Sequence, residues 1–282
     1  MTIPARGNFK VRIVIALVVA GLGLLAYYAR SSINPVTGEK QHIALTAEQE
    51  IALGVDAAPH MARQMGGTAG PDDPDAVLVS SVGSRLVRAS DASRSPYRFD
   101  FHLLNDRQTV NAFALPGGQI FITRGLLGRL ETEAQLAGVL AHEIGHVVHR
   151  HGAEHLSKAE LAQNLGIAVG VGTSDERGGG SAAYALSQVV SQMVQLRYGR
   201  KDELESDDYG LKAMSQAGYD PSAMLGVMKI LAQASTRGQP EFLSSHPHPE
   251  SRIAAIEEWL RKNYPSGVPG TLSQGRRLAS GD

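Results

Sequence analysis

The chain has no cysteine in its 282 residues. It can form no disulfide, offer no thiolate to a metal and attack no substrate through sulfur, so cysteine-protease, Cys-His-His deformylase-like and dithiol redox chemistries are excluded. A surplus of charge is also lacking. The 27 basic and 28 acidic residues leave a formal net charge of -1, and without a basic excess no nucleic-acid partner is expected. No internal repeat is evident. Hydrophobic residues make up 43% of the chain, enough for one sizeable core with appendages.

Near the N-terminus, Ile13 to Ala29 is an uninterrupted run of apolar and small residues that includes Tyr27 and Tyr28 and follows Arg6, Lys10 and Arg12. Its 17 residues lie at the short end of the about 20 that a spanning helix needs. The basic flank predicts that this end stays in the cytoplasm and that the remainder is exported. No A-x-A cleavage site follows and no cysteine is there to carry a lipid, so residues 1–30 read as an uncleaved signal-anchor, with a removed signal peptide as the alternative.

The strongest chemical signal is Ala141-His142-Glu143-Ile144-Gly145-His146. On a helix of 3.6 residues per turn, His142 and His146 share a face, and Glu143 falls beside a metal they would hold rather than on it. The sequence predicts that helix: Thr132 and Gln135 form a capping box, and Leu136, Val139, Leu140, Ile144, Val147 and Val148 make a broad apolar stripe. Zinc suits two imidazoles, a carboxylate and an open position, whereas magnesium and calcium want mostly oxygen. Gly145 lowers helix propensity by about 1 kcal/mol relative to Ala, and its missing side chain would admit a neighbouring helix. Candidates for a third ligand lie in Arg200 to Gly210, a charged helix opening on which Glu203 and Asp207 share a face. Glu205 points elsewhere, toward solvent or a base.

Four blocks together resemble a known family, the membrane-associated zinc endopeptidases that include the CAAX prenyl proteases, the HtpX heat-shock proteases and the periplasmic BepA-type proteases. They are Asn111 to Gly118 running into Arg124-Gly125-Leu126-Leu127; His142 to His146; Glu203-Leu204-Glu205-Ser206-Asp207; and His246-Pro247 followed by Arg252-Ile253. Ser206 stands where many relatives have alanine. The resemblance covers residues 33–262 and implies an α+β, mainly helical zincin-like (gluzincin) domain with a small antiparallel sheet. It further implies one Zn2+ per chain, with His142, His146 and Glu203 as ligands, Glu143 as general base and Asp207 orienting a zinc histidine. The activity implied is hydrolysis of unfolded or misassembled envelope proteins, in a periplasm-facing domain tethered to the inner membrane of a Gram-negative-type bacterium. A chaperone or assembly factor with a structural or autoinhibited zinc site is the alternative, and a non-peptidase zinc hydrolase a third.

The two His-Pro pairs in Phe242 to Pro249 predict a stiff, non-helical segment. In the resembled family an HP pair sits near the active site, which points to His246. Three roles stay open for it: an inhibitory fourth ligand, a hydrogen bond to substrate or transition state, or a structural contact. Arg252, one turn into the last helix, is available to pair with an acid or steady the loop.

Elsewhere, residues 31–46 read as a polar linker lying against a domain at 47–264, and the Pro/Gly/Ser-containing residues 265–282 as a frayed tail. Thr46 caps a helix to about Met65, and a second helix spans about Asp75 to Arg88. Tyr97 to Leu104 alternates as a half-buried strand, with His102 a surface residue of it. Asn111 to Leu115 and Gln119 to Thr123 flank the turn Pro116-Gly117-Gly118. The second of these, Gln119, Ile120, Phe121, Ile122 and Thr123, is expected to lie free along the cleft as a substrate-binding edge strand. Further helices are predicted at about Ser157 to Val171, Ala182 to Leu196, Pro221 to Ala234 and Pro249 to Asn263. A glycine-rich loop at Thr173 to Gly180 reads as a flap or a slack connection.

Overall fold

The computed structural model describes residues 9–161, 197–236, 241–247 and 249–278. The expected loop at 173–180, the helix at 182–196 and most of the one expected from residue 157 lie outside these residues.

Helix α1 (Phe9–Ala29) comes first, followed by a two-stranded antiparallel ribbon of β1 (Ser32–Ile33) and β2 (Lys40–Gln41). The anchor expected here is corrected: among the described residues no helix is long and apolar enough to cross a membrane. The apolar stretch from residue 13 to 29 rises only about 26 Å at 1.5 Å per residue, against a hydrocarbon core of about 30 Å. The end of this segment is engaged by protein instead, with Tyr27 and Tyr28 against the His42 ring and Arg30 paired with Glu160. The transmembrane assignment, the inner membrane as partner and the single-pass location fall with it.

Two side chains of the segment at 31–46 bond to the end of the central helix region. Asn34, almost fully buried, donates to Val148 O at 2.9 Å, and Gln41 donates to His149 O at 2.6 Å. These side chains satisfy carbonyls that the end of a helix leaves without intrahelical partners. Thr46 then caps α2 (Ala47–Gln64) in a full capping box with Gln49, and Asp73 caps α3 (Pro74–Ala89).

A three-stranded sheet follows, of β3 (Asp100–Leu104), β4 (Ala112–Ala114) and β5 (Gln119–Thr123), in the order β3-β5-β4. β4 returns antiparallel to β5 across the Pro116-Gly117-Gly118 turn, whereas β3 runs parallel to it. Gly117 takes φ 81°, and a Cβ there would sit 2.4 Å from Ile51 Cα, so the turn and the close approach of α2 both require glycine. This order corrects the edge-strand expectation. β5 is the middle strand, paired on both sides and buried at all five positions, so it has no free edge for a peptide. The outer strands are β3, whose far side bonds to the segment at Gly67 to Ala69, and β4.

After the short α4 (Arg124–Leu127) comes the central helix α5 (Glu133–Val148). Thr132 caps it by accepting from Gln135 N, but the Gln135 side chain accepts from Glu131 N rather than from the cap residue. Fifteen of its residues are buried, because it crosses the core between α3, β4, α7 (Arg200–Gln216) and α8 (Ala223–Thr236). Arg150, at φ 60°, turns the chain sharply after α5 into helix α6, described over residues 151–161. Its guanidinium pairs with buried Glu50 and donates to Ser32 Oγ and Leu45 O. The short α9 (Glu241–Ser245) and α10 (Pro249–Asn263) close the domain.

The tail is a third correction. Residues 273–278 do not fray but dock on the start of α5, where Glu133 N donates to Arg276 O and Ala134 N to Gln274 O, both at 3.0 Å. First-turn amides have no partner inside their own helix, and this strand-like segment supplies one, which is what holds it down.

Candidate metal centre

His142 and His146 project from the same buried face of α5, one turn apart, with their Nε2 atoms 3.0 Å from each other. α7 brings Glu203 to this face. Its carboxylate oxygens lie 3.6 Å from His142 Nε2 and 3.5 Å from His146 Nε2. Gly145 permits the approach: a Cβ there would stand 2.9 Å from Ser206 Cα. From the segment after α9, His246 enters with Nδ1 3.3 Å from His142 Nε2 and 3.0 Å from Glu203 Oε1. All four side chains are buried.

This donor set fits zinc. Ligand atoms about 2.0–2.1 Å from a tetrahedral ion are about 3.4 Å apart, and the separations here run from 3.0 to 3.6 Å. Imidazole nitrogens facing one another at 3.0 Å need either a proton or a metal ion between their lone pairs. Both Glu143 oxygens and His246 Nε2 are buried without a hydrogen-bond partner, and burial of such groups is costly unless something polar meets them.

Asp207, one turn after Glu203, accepts from His142 Nδ1 at 2.8 Å. This fixes the tautomer that leaves Nε2 free for a metal. Arg252, on α10 and almost wholly buried, donates to both Asp207 oxygens at 2.7 Å. Its Nη1 also lies 2.7 Å from Glu203 Oε2 as an ion pair without hydrogen-bond alignment. Burial alone would push the Glu203 and Asp207 carboxyls up. For Glu203 the charges of His246 and Arg252 reverse this and leave it well below the usual range; for Asp207, Arg252 and the His142 hydrogen bond outweigh burial and lower it.

Glu143, fully buried 3.7 Å from His246 Nε2, goes the other way: burial holds its carboxyl above the ordinary value despite His246 and His142. Burial pulls His146 well below its usual range, keeping it neutral.

His246 is firmly held. Its ring stacks on Phe242 with centroids 4.4 Å apart, its backbone N–H donates to Phe242 O, and Tyr198 N donates to the preceding carbonyl of Ser245. Tyr198 also stacks on His146, centroids 3.9 Å apart. The sequence reading missed Tyr198, as it missed His151, whose Nδ1 lies 2.9 Å from His146 Nδ1. His102 is a half-buried strand residue that contacts Gln119, well away from this cluster.

The sequence family described as Peptidase family M48 matches residues 76–260. The mitochondrial metalloendopeptidase OMA1 of Schizosaccharomyces pombe is 30% identical over 246 residues, covering 86% of this chain and 70% of that protein. A putative beta-barrel assembly-enhancing protease of Vibrio cholerae is 32% identical over 272 residues, covering 91% and 53%. The beta-barrel assembly-enhancing protease of Escherichia coli is 31% identical over 229 residues, covering 78% and 45%. The chain therefore spans about half the length of the assembly-enhancing proteases it matches.

Proposed function

The chain belongs to peptidase family M48 and is a zinc metalloendopeptidase; from that premise we propose that it cuts unfolded or misassembled envelope proteins at a site that His246 holds shut at rest. The carrying observation is the buried tetrad of His142, His146, Glu203 and His246 beside an unpartnered Glu143. In this reading His142, His146 and Glu203 hold the ion and His246 Nδ1 takes the fourth position. Zinc, when bound, supplies Lewis acidity that polarises a scissile carbonyl and lowers the pKa of water. Glu143 takes the proton of the attacking water on its carboxylate and delivers it to the leaving amine, so no covalent intermediate is needed. Its raised affinity for a proton suits that shuttle. Arg252 and Asp207 keep His142 aimed.

An extended substrate adds to β4. Residues 111, 113 and 115 face β5, as the bonds from Thr123 N to Asn111 O and from Leu115 N to Gln119 O show. The main-chain groups of Ala112 and Ala114 therefore point to the other edge, and Ala114 also lines a small cleft with His146 and Tyr198. Strand addition reads main chain rather than sequence, which suits unfolded substrates.

Within the family, likeness to the assembly-enhancing and OMA1 proteases supports this reading rather than a prenyl-protein substrate. A second reading, an assembly factor whose zinc site works shut, is favoured by the same closed position of His246. Two variants separate them. Glu143→Gln is expected to abolish casein hydrolysis while keeping zinc, and hydrolysis near the wild-type rate would sink the enzymatic assignment. His246→Ala is expected to raise proteolysis without tightening zinc. A fall in kcat at unchanged KM would instead make His246 a transition-state donor.

A further inference from the structure

Zinc held through Nε2 leaves the proton of His146 on Nδ1, and that N–H needs an acceptor. Asp207 does this for His142, but the His146 N–H meets no carboxylate. The atom opposite it, at 2.9 Å, is Nδ1 of His151, a residue only 2% exposed. His151 must therefore accept on Nδ1 and carry its own proton on Nε2. That atom lies 3.2 Å from Glu205 Oε2, with Asp202 Oδ1 further off at 4.0 Å. Glu205 is partly exposed and also pairs with Lys201. Every bond in this chain points the same way, from His146 through His151 to Glu205.

We propose that His151 is a positioning residue for the metal ligand His146, fixing its ring orientation and tautomer, with Glu205 fixing the tautomer of His151 in turn. The proposal rests on the zinc reading above. It also decides between two uses of the same side chains, because ligand atoms of His149, His151 and Glu205 lie within 4.8 Å of one another, the spacing of a second cation site. A cation on His151 Nε2 would move that ring's proton to Nδ1 and set two N–H groups against each other across 2.9 Å. With zinc on His146, the relay and the second cation exclude one another, and the relay leaves no donor without an acceptor.

The test uses the full chain, with metal content by elemental analysis, zinc affinity by chelator competition, and the visible spectrum of the cobalt(II)-substituted protein. His151→Phe fills the space but cannot accept, while His151→Asn places an amide oxygen near the Nδ1 position. Wild type is expected to hold one zinc, His151→Phe to bind it about 10–100-fold more weakly with a shifted cobalt spectrum, and His151→Asn to recover most of both. Unchanged affinity and spectrum in His151→Phe would overturn the proposal, as would equal losses in both variants, which would mark a packing effect. Two metals in wild type falling to one in His151→Phe would replace the relay with a second cation site. Should His151→Phe fail to fold, Glu205→Gln on the solvent side is expected to weaken zinc a few-fold, and no change there would also overturn it. A wild type that binds no zinc would defeat the zinc reading itself, a separate outcome.

Discussion

Replacing Arg252 by methionine should cost more stability than any other single change near the metal. The guanidinium is 1% exposed and donates to both oxygens of Asp207 at 2.7 Å, while its third nitrogen lies 2.7 Å from Glu203. Methionine fills much of the volume but leaves buried Asp207 facing no cation and buried Glu203 facing only His246. Removing one partner of a buried ion pair typically costs about 3–5 kcal/mol, a large share of the about 5–15 kcal/mol that holds a domain folded. With a urea slope of about 2 kcal/mol per molar, the midpoint should fall by about 2 M. The comparison is made by urea denaturation with chelator and again with saturating zinc. Zinc compensates Glu203, so the gap between variant and wild type should narrow when it is present. Adding Asp207→Asn to Arg252→Met should recover part of the loss, with a coupling of about 1–3 kcal/mol in the double-mutant cycle. A loss below about 1 kcal/mol, or strictly additive effects in the cycle, would show that the guanidinium is not what makes burial of these acids tolerable.

Two further outcomes are expected. In chelated protein the folded state holds the Glu143 proton more tightly than the unfolded state does, because burial raises that carboxyl. Wild-type stability should therefore fall relative to Glu143→Gln as pH rises above the unfolded value of about 4.3, and a difference that is flat from pH 4 to 8 in thermal melts would contradict the shift. Ala114→Pro removes an N–H on the edge of β4 that no other strand pairs among the described residues, without touching the pairing to β5; kcat/KM for an extended peptide should drop about tenfold, one main-chain hydrogen bond in a dry site being worth about 1.4 kcal/mol, with zinc content unchanged. An unaltered kcat/KM would move the substrate off this edge.

What could be read in the sequence was local. His142, Glu143 and His146 announce themselves because helical spacing alone puts two imidazoles on one face, and Thr132 and the apolar stripe mark the helix. Glu203 and Asp207 were paired by the same four-residue step on α7, and the cap at Thr46 sits at the start of its helix. The misses were nonlocal. No pattern within Gln119 to Thr123 says that β3 pairs on its far side, so a middle strand read as an edge. The polar composition of the tail said nothing of the α5 amides that would hold Gln274 and Arg276.

His151 shows why the second layer of the site was hidden. It follows His146 by five residues, a spacing that on a continuous helix would swing it away from the metal face. It returns only because α5 ends at Val148 and Arg150 adopts a left-handed conformation before α6 begins. That conformation is uncommon for arginine, and it persists here because the side chain is pinned by Glu50, Ser32 and Leu45, from segments about a hundred residues upstream. The segment at 31–46 thus does more than connect. It stabilises the turn that brings His151 under His146, so the geometry of a zinc ligand on the central helix depends on residues that carry no chemistry of their own.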